Sequence, residues 1–324
     1  MTSFGDSQRT GGATPAPNIP ELPPNIPGLP GIPVFRMDDC AVSPIPILIA
    51  VPHAGRAYPP GITTRLRDPG GAALRLEDRY VDRLAHAVAA ATGAALLVAQ
   101  APRAMLDLNR AADDVDWEMV AGGETRDAPS LAAGPRARSG LGIVPRRLPG
   151  MGELWNARLD RAELDARIAA IHGPWHIAVG EALTAIRARW GAALLLDFHS
   201  MPPLGTRPGG GPAAHYVIGD RFGAACDGGL VGAAFAWLAE AGQRAAHNRP
   251  YAGGYTLDRH AAPRRGIHAL QLEVDRRCYL DAAMREPGAG LEPTAAMLAG
   301  LVRRLAAEVA LLGGERANWA EAAE

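Results

Sequence analysis

Two short apolar runs, each ending in a histidine, constrain this chain more than any other feature. Ala193-Leu194-Leu195-Leu196 continues into Asp197-Phe198-His199-Ser200, and Ile47-Leu48-Ile49-Ala50-Val51 continues into Pro52-His53-Ala54-Gly55. Uninterrupted apolar runs of this length read as strands buried on both faces, the signature of a parallel sheet covered by helices. In such sheets ligand chemistry collects at the carboxyl ends of the strands. Each histidine alone reads equally well as a loop residue with a hydrogen-bonded partner. Two of them delivered by two strand ends, with carboxylates nearby, point to a metal site on a rigid sheet.

The remaining pattern supports that architecture. Helical spacing of Val81, Leu84, Ala85 and Val88 predicts an amphipathic helix over Glu77 to Thr92, stopped by Gly93. Ala94 to Ala99 reads as the next strand. Leu154 to Ile171 and His176 to Trp190 read as two helices separated by Gly173-Pro174. Strands are expected at Tyr216 to Ile218 and Ile267 to Val274, and helices at Leu230 to Ala241 and Pro293 to Leu312. The alternation predicts an α/β three-layer sandwich with a central, mostly parallel sheet flanked by helices. Residues 1–35, rich in Pro, Gly, Ser and Thr, are expected to be a disordered tail, and residues 36–324 a single catalytic domain. Two long loops, roughly Asp113 to Pro149 and Pro202 to Ala214, read as functional covers or disordered insertions.

Composition excludes several classes of function. A net charge of −1 argues against a nucleic-acid partner held by bulk charge. No apolar run is long enough for a membrane span. All 33 basic residues are arginine, which removes lysine-nucleophile and Schiff-base chemistry. Cys40, Cys226 and Cys278 form neither a disulfide framework nor a cysteine zinc pattern, and no signal peptide is evident, so a cytoplasmic protein is expected. Gly209-Gly210-Gly211 lacks the ending of a phosphate-binding loop, and no His-Glu-x-x-His helix is present.

The chemistry-bearing residues leave alternatives open. A catalytic zinc takes three protein ligands and keeps one open position. His53 and His199 supply two, and Glu77 or Asp78 offers a third, unless both acids simply complement a helix N-terminus. His86 lies within the same helix, and His172 and His176 straddle Gly173-Pro174, so these read as packing or substrate-side residues. Asn109-Arg110 suits a carboxylate ligand, with Arg103 on the same segment; the alternative is a structural ion pair to Asp107. Glu273 sits in an apolar strand. Either it faces solvent on an edge strand, or it is a buried carboxylate whose raised pKa suits a general base.

These elements together resemble the N-formylglutamate amidohydrolases. The matching residues are Pro52-His53-Ala54-Gly55, Asp78 with Val81-Asp82-Arg83-Leu84, and Arg103 with Asp107-Leu108-Asn109-Arg110. They continue with Leu196-Asp197-Phe198-His199-Ser200, Asn248-Arg249-Pro250-Tyr251-Ala252-Gly253-Gly254 and Gln271-Leu272-Glu273-Val274, in order from about Ile45 to Tyr279. Each motif alone is weak; the ordered series is specific. The family is similar to the zinc carboxypeptidase and aspartoacylase superfamily. The resemblance implies one zinc ion held by His53, Asp78 and His199, with Glu273 as general base and acid. It implies Asn109 and Arg110 as the holders of a substrate carboxylate. Arg103 would polarise the scissile carbonyl or hold a second carboxylate, and Asn248 and Tyr251 would line the side-chain pocket. One departure matters: the superfamily's His-x-x-Glu ligand pair is broken here, because Arg56 stands at the Glu position. The activity implied is hydrolysis of N-formylglutamate, or a similar small N-acyl amino acid, to formate and glutamate, a terminal step of one histidine-degradation route. The alternatives are another N-acyl amino acid deacylase or carboxypeptidase, or a metal-free carboxylate-binding protein on the same fold.

Overall fold

The computed structural model describes residues 23–38, 43–122, 134–205 and 213–322. β1 (Asn25–Ile26) and β2 (Leu29–Pro33) form an antiparallel hairpin that leads into β3 (Phe35–Asp38). β4 (Ile47–Val51) is followed by α1 (Pro60–Thr63), α2 (Pro69–Leu76), α3 (Val81–Thr92) and β5 (Ala95–Ala99). After α4 (Pro135–Arg138) come the paired β6 (Arg147–Leu148) and β7 (Gly152–Glu153), then α5 (Arg161–Arg167) and α6 (Gly173–Trp190). The chain continues through β8 (Ala193–Met201), β9 (Tyr216–Gly219), α7 (Gly228–Glu240) and β10 (Ala245–His247). It ends with α8 (Tyr255–His260), β11 (Ile267–Asp275) and α9 (Leu291–Ala322).

Seven strands form one mixed sheet in the order β10-β9-β11-β8-β4-β5-β3. The central β11, β8, β4 and β5 are mutually parallel; β3 and β9 each run antiparallel to a neighbour. A separate hydrophobic core covers each face. One contains Leu48, Ala50, Leu195 and Ala269 with Val179 and Leu183 of α6; the other contains Ile49, Leu194, Leu196 and Leu270 with residues of α3, α7 and α9. This is the expected sandwich, with helices on both faces of a largely parallel sheet. Among the described residues no helix is long and apolar enough to cross a membrane.

The site follows from strand parity. On β8 the α6 face carries Ala193 and Leu195, and two and four residues further along the same face come Asp197 and His199. On β11 that face carries Ala269, then Gln271 and Glu273. The register aligns Gln271 with Asp197 and Glu273 with His199. The sheet thus turns from apolar to polar on one face only, at the carboxyl ends of its central strands. β4 lies between β5, which follows it in the chain, and β8, which comes later, so the chain switches direction between β4 and β8. His53 and His199 flank that switch point, where doubly wound sheets place their ligands.

Several expectations need correction. Residues 23–35 are not tail: Ile26 and Val34 are each 1% exposed and Phe35 is buried in the core. Gly28 and Gly31 adopt φ of 81° and 82°, so the glycines shape the hairpin that a compositional reading takes for disorder. The rest of the expected tail, residues 1–22, lies outside the described residues. The helix expected from Glu77 starts at Val81. The two helices expected around Gly173-Pro174 are joined without a gap by a π turn over Ile168–His172, in which the Gly173 N–H reaches the Ile168 carbonyl. Pro174 follows directly, as the second residue of α6, so the π turn lies where the proline cannot donate to the preceding turn. The long loop from Asp113 carries a 3₁₀ turn (Trp117–Met119), α4 and the β6–β7 pair, while residues 123–133 and 206–212 lie outside the described residues.

Gly55 shows how tightly the loop after β4 is seated. A Cβ there would lie 2.0 Å from the Ala101 carbonyl oxygen and 2.8 Å from the Gln100 carbonyl carbon, whereas one at Gly61 meets nothing within 4 Å. Gly55→Ala therefore forces backbone apart and is expected to cost about 1–3 kcal/mol. Thermal denaturation should show a fall of roughly 2–4 °C per kcal/mol, and Gly61→Ala should show no fall. Equal melting temperatures for the two variants would refute the close approach.

Candidate metal centre

His53, Asp78 and His199 are all buried and bring one ligand atom each to within 4.8 Å of one another. Asp78 Oδ2 lies 3.0 Å from His199 Nδ1 and 3.7 Å from His53 Nδ1. The imidazole rings meet edge to face with centroids 4.8 Å apart. Behind them, His53 Nε2 donates to Asp107 Oδ1 at 2.7 Å, and His199 Nε2 lies 2.9 Å from Asp197 Oδ2. A carboxylate accepts only, so the His53 ring carries its proton on Nε2 and turns Nδ1 toward the centre, whereas His199 has a carboxylate at both ring nitrogens, Asp197 at Nε2 and Asp78 at Nδ1. This carboxylate–histidine pairing is the usual support of a metal-binding imidazole. His53 Nδ1 is buried without a hydrogen-bond partner, an orphan that a cation would satisfy. The donor set, two imidazoles and one carboxylate, fits a divalent transition metal.

The local backbone explains why Asp78, not Glu77, joins the histidines. α2 ends at Leu76 and Glu77 is extended, so the chain leaves the helix before α3 begins. The Asp78 N–H donates to the His53 carbonyl at 2.9 Å, and Tyr80 takes a left-handed φ of 56° to enter α3. Arg276, just past β11, clamps this break. It donates to the Leu74 carbonyl at 3.2 Å, the Glu77 carbonyl, and Ser200 Oγ at 3.2 Å, and it approaches Asp78 Oδ1 at 3.5 Å. Glu77 turns away to Arg79 at 3.1 Å. Arg56, at the position of the missing glutamate, forks onto Asp82 at 2.8 and 2.7 Å, outside the metal cluster.

Charge at the centre is strongly perturbed. Burial would raise the Asp78 and Asp107 carboxyls, but the facing histidines and, for Asp107, Arg103 hold both below the usual carboxylate range. Burial would lower His199, yet Asp197, Asp78 and Glu273 raise it well above an ordinary imidazole. The centre attracts positive charge, whether proton or metal. Glu273 lies on a central strand rather than an edge. Burial pushes its carboxyl up to about 7, with His199 and Arg103 opposing and Asp78 and Asp197 adding. Its Oε1 accepts from Gln271 Nε2 at 2.9 Å.

A cavity of about 930 Å³ opens over this cluster, lined by Arg103, Asn109, Arg110, Tyr251 and Glu273 among others. Arg103 donates to Asp107 Oδ2 through Nε at 2.9 Å and is 2.8 Å away through Nη2. The Arg110 guanidinium comes no closer than 3.9 Å to the Asp107 carboxylate, and its buried Nε has no hydrogen-bond partner. Two expected substrate contacts are engaged elsewhere. Asn109 Oδ1 accepts the Thr256 N–H at 2.9 Å, capping α8, while its Nδ2 faces Asp197, Gln271 and His199 at 3.4–3.5 Å. Asn248 does not line the cavity: its amide exchanges two bonds with Asp220, at 3.0 and 2.7 Å, and so anchors the loop that carries Tyr251.

Sequence reasoning missed two supports. Arg276 follows a strand end, the very position from which His53 and His199 were found. His172 and His176 read as packing or substrate-side residues on either side of Gly173-Pro174, with no partner assigned; the π turn keeps their rings 4.4 Å apart. Their Nε2 atoms hold the Arg110 and Leu108 carbonyls at 2.9 and 3.0 Å. Burial lowers both pKa values, which keeps the rings neutral for that task.

Comparison with known proteins places this geometry. The model of the N-formylglutamate amidohydrolase family matches residues 45–280. An N-formylglutamate deformylase of Pseudomonas aeruginosa is 28% identical over 239 residues, covering 73% of this chain and 83% of that protein. The Pseudomonas putida enzyme of the same name is 27% identical over 238 residues, covering 73% and 82%. The crystal structure of N-formylglutamate amidohydrolase from Ralstonia eutropha JMP134 superimposes with a TM-score of 0.75 at 31% identity, over 85% of this chain and 98% of that one. With most of the sheet, both strand-end histidines, Asp78 and Glu273 inside the matched region, the chain belongs to the N-formylglutamate amidohydrolase family.

Proposed function

We propose that this chain is a zinc-dependent hydrolase that cleaves N-formyl-L-glutamate to formate and glutamate. The observation that carries the reading is the convergence of two imidazoles, each backed at Nε2 by a carboxylate, and Asp78 beside a buried glutamate, in an arginine-lined cavity. His53, Asp78 and His199 hold the ion. When bound there, zinc supplies Lewis-acid polarisation of the formyl carbonyl and lowers the pKa of water.

The protein's own residues do the rest. Glu273 takes the proton of the attacking water and delivers it to the leaving nitrogen as the C–N bond breaks. A carboxyl near pKa 7 suits both directions of transfer at neutral pH. Arg110, with its Nε unpartnered, binds the α-carboxylate and so fixes the formyl group over the centre. Arg103, held at the cavity wall by Asp107, offers positive charge to the developing oxyanion. Tyr251, half-buried at the same wall, shapes the side-chain pocket. Asn109 acts indirectly, by joining α8 to the segment that carries Arg110.

The purified chain should contain a single zinc and release formate from N-formyl-L-glutamate. Chelation should remove both properties and zinc should restore the second. Stoichiometric zinc with no formate release would leave a metal-binding protein but not this enzyme. Asp107→Asn weakens the support of the His53 ring and should lower zinc affinity about 10–100-fold in a chelator competition. Wild-type affinity in that variant would show that the pairing does not tune the ligand. Glu273→Gln should keep zinc and fold while turnover falls by about two orders of magnitude or more. Near-normal turnover would place the general base elsewhere.

A further inference from the structure

The arginines around the cavity differ in what they already hold. Arg75, Arg103, Arg110, Arg136, Arg221 and Arg276 all line it. Arg103 is paired with Asp107. Arg221 forks onto Asp258 at 2.6 and 2.9 Å. Arg276 clamps the segment of Asp78, and Arg75 donates to the Pro149 carbonyl at 2.8 Å. Two guanidiniums are left. Arg110 has only its 3.9 Å approach to Asp107. Arg136 has no hydrogen-bond or ion-pair partner for its side chain among the described residues.

Arg136 is presented by a fixed element. It lies on α4, whose Ala137 is 0% exposed, and the Gly134 N–H just before the helix donates to Asp114 Oδ1 at 3.1 Å. Arg110 lies close enough to feel its charge: burial depresses the Arg110 pKa first, and Arg103 and Arg136 add to that. Tyr251 feels the same cation. Two unpaired like charges facing one cavity repel each other. One bound carboxylate neutralises only one of them, whereas a ligand with two carboxylates neutralises both.

We propose that Arg136 is a specificity residue that receives the side-chain carboxylate of an acidic N-acyl amino acid while Arg110 holds its α-carboxylate. The inference deepens the proposed function and rests on it. It restricts the substrates to N-acyl dicarboxylic amino acids, with the neutral isostere N-formyl-L-glutamine as the discriminating comparison.

The test measures kcat and KM for N-formyl-L-glutamate and N-formyl-L-glutamine with the wild-type protein, Arg136→Gln and Arg136→Lys. The wild type should favour the acid. Arg136→Gln should lose about tenfold or more in kcat/KM on the acid, chiefly through KM, with a much smaller loss on the amide. Arg136→Lys keeps the charge without the planar fork and should recover part of the loss on the acid. Equal losses on both substrates, or no loss on the acid, would overturn the assignment while leaving the hydrolase reading intact. A wild-type protein that releases formate from neither substrate would overturn both.

Discussion

Both buried imidazoles of the centre are held from behind, and everything else is arranged around that constraint. Asp107 and Asp197 sit behind the two Nε2 atoms, while both Nδ1 atoms and the Asp78 carboxylate share one small volume. Such a cluster favours a cation, whether proton or metal. The outer carboxylates are themselves held. Asp107 receives Arg103 and the Asn109 N–H, the latter at 2.9 Å. Asp197 faces the Asn109 amide at 3.4 Å. One short segment, 103–110, therefore braces both histidines and also carries Arg110, which ties the candidate metal cluster to the cavity through the backbone. The neutral His172 of the π turn and His176 of α6 hold the far side of that segment by its carbonyls.

The central strands were readable because they are buried on both faces, which leaves an apolar run with no competing pattern. The same reasoning located His53 and His199, since a polar residue at the end of such a run is conspicuous. Glu273 was ambiguous for a physical reason. Leu270, Leu272 and Val274 alternate with Gln271 and Glu273, and that pattern fits an edge strand as well as a central strand whose one face turns polar near its end. Only the pairing of β11 with β8 and β9 separates the two cases. The choice between Glu77 and Asp78 was likewise beyond local sequence, because the helix break that selects Asp78 is made by contacts with His53 and Arg276, far away in the chain.

The misread elements share a cause. Pro and Gly in residues 23–35 signal weak local propensity, but a hairpin inserting Ile26 and Val34 into the core overrides it. Gly173-Pro174 signals a helix boundary, but a π turn absorbs it and keeps His172 and His176 together. The directions of Asn109 and Asn248 are not visible in a motif. In the fold their amides close scaffold bonds, while the guanidinium of Arg110 keeps spare donors at the cavity.

The chain contains no lysine, so apart from the imidazoles of the metal cluster the basic groups facing the cavity are guanidiniums, which stay charged throughout the physiological range. A guanidinium also offers five donors in a plane, which lets Arg276 hold three acceptors at once where an ammonium would be a single point of charge. In the proposed reaction, carboxylate binding at Arg110 would therefore not depend on pH near neutrality. Proton movement would be left to Glu273, whose buried carboxyl is pushed up to about 7. Under that proposal, separating permanent charges that bind from a titratable group that transfers protons would let the cavity attract anions strongly. The arginines can do so without holding Glu273 ionised, because burial outweighs the lowering effect of Arg103 on its carboxyl.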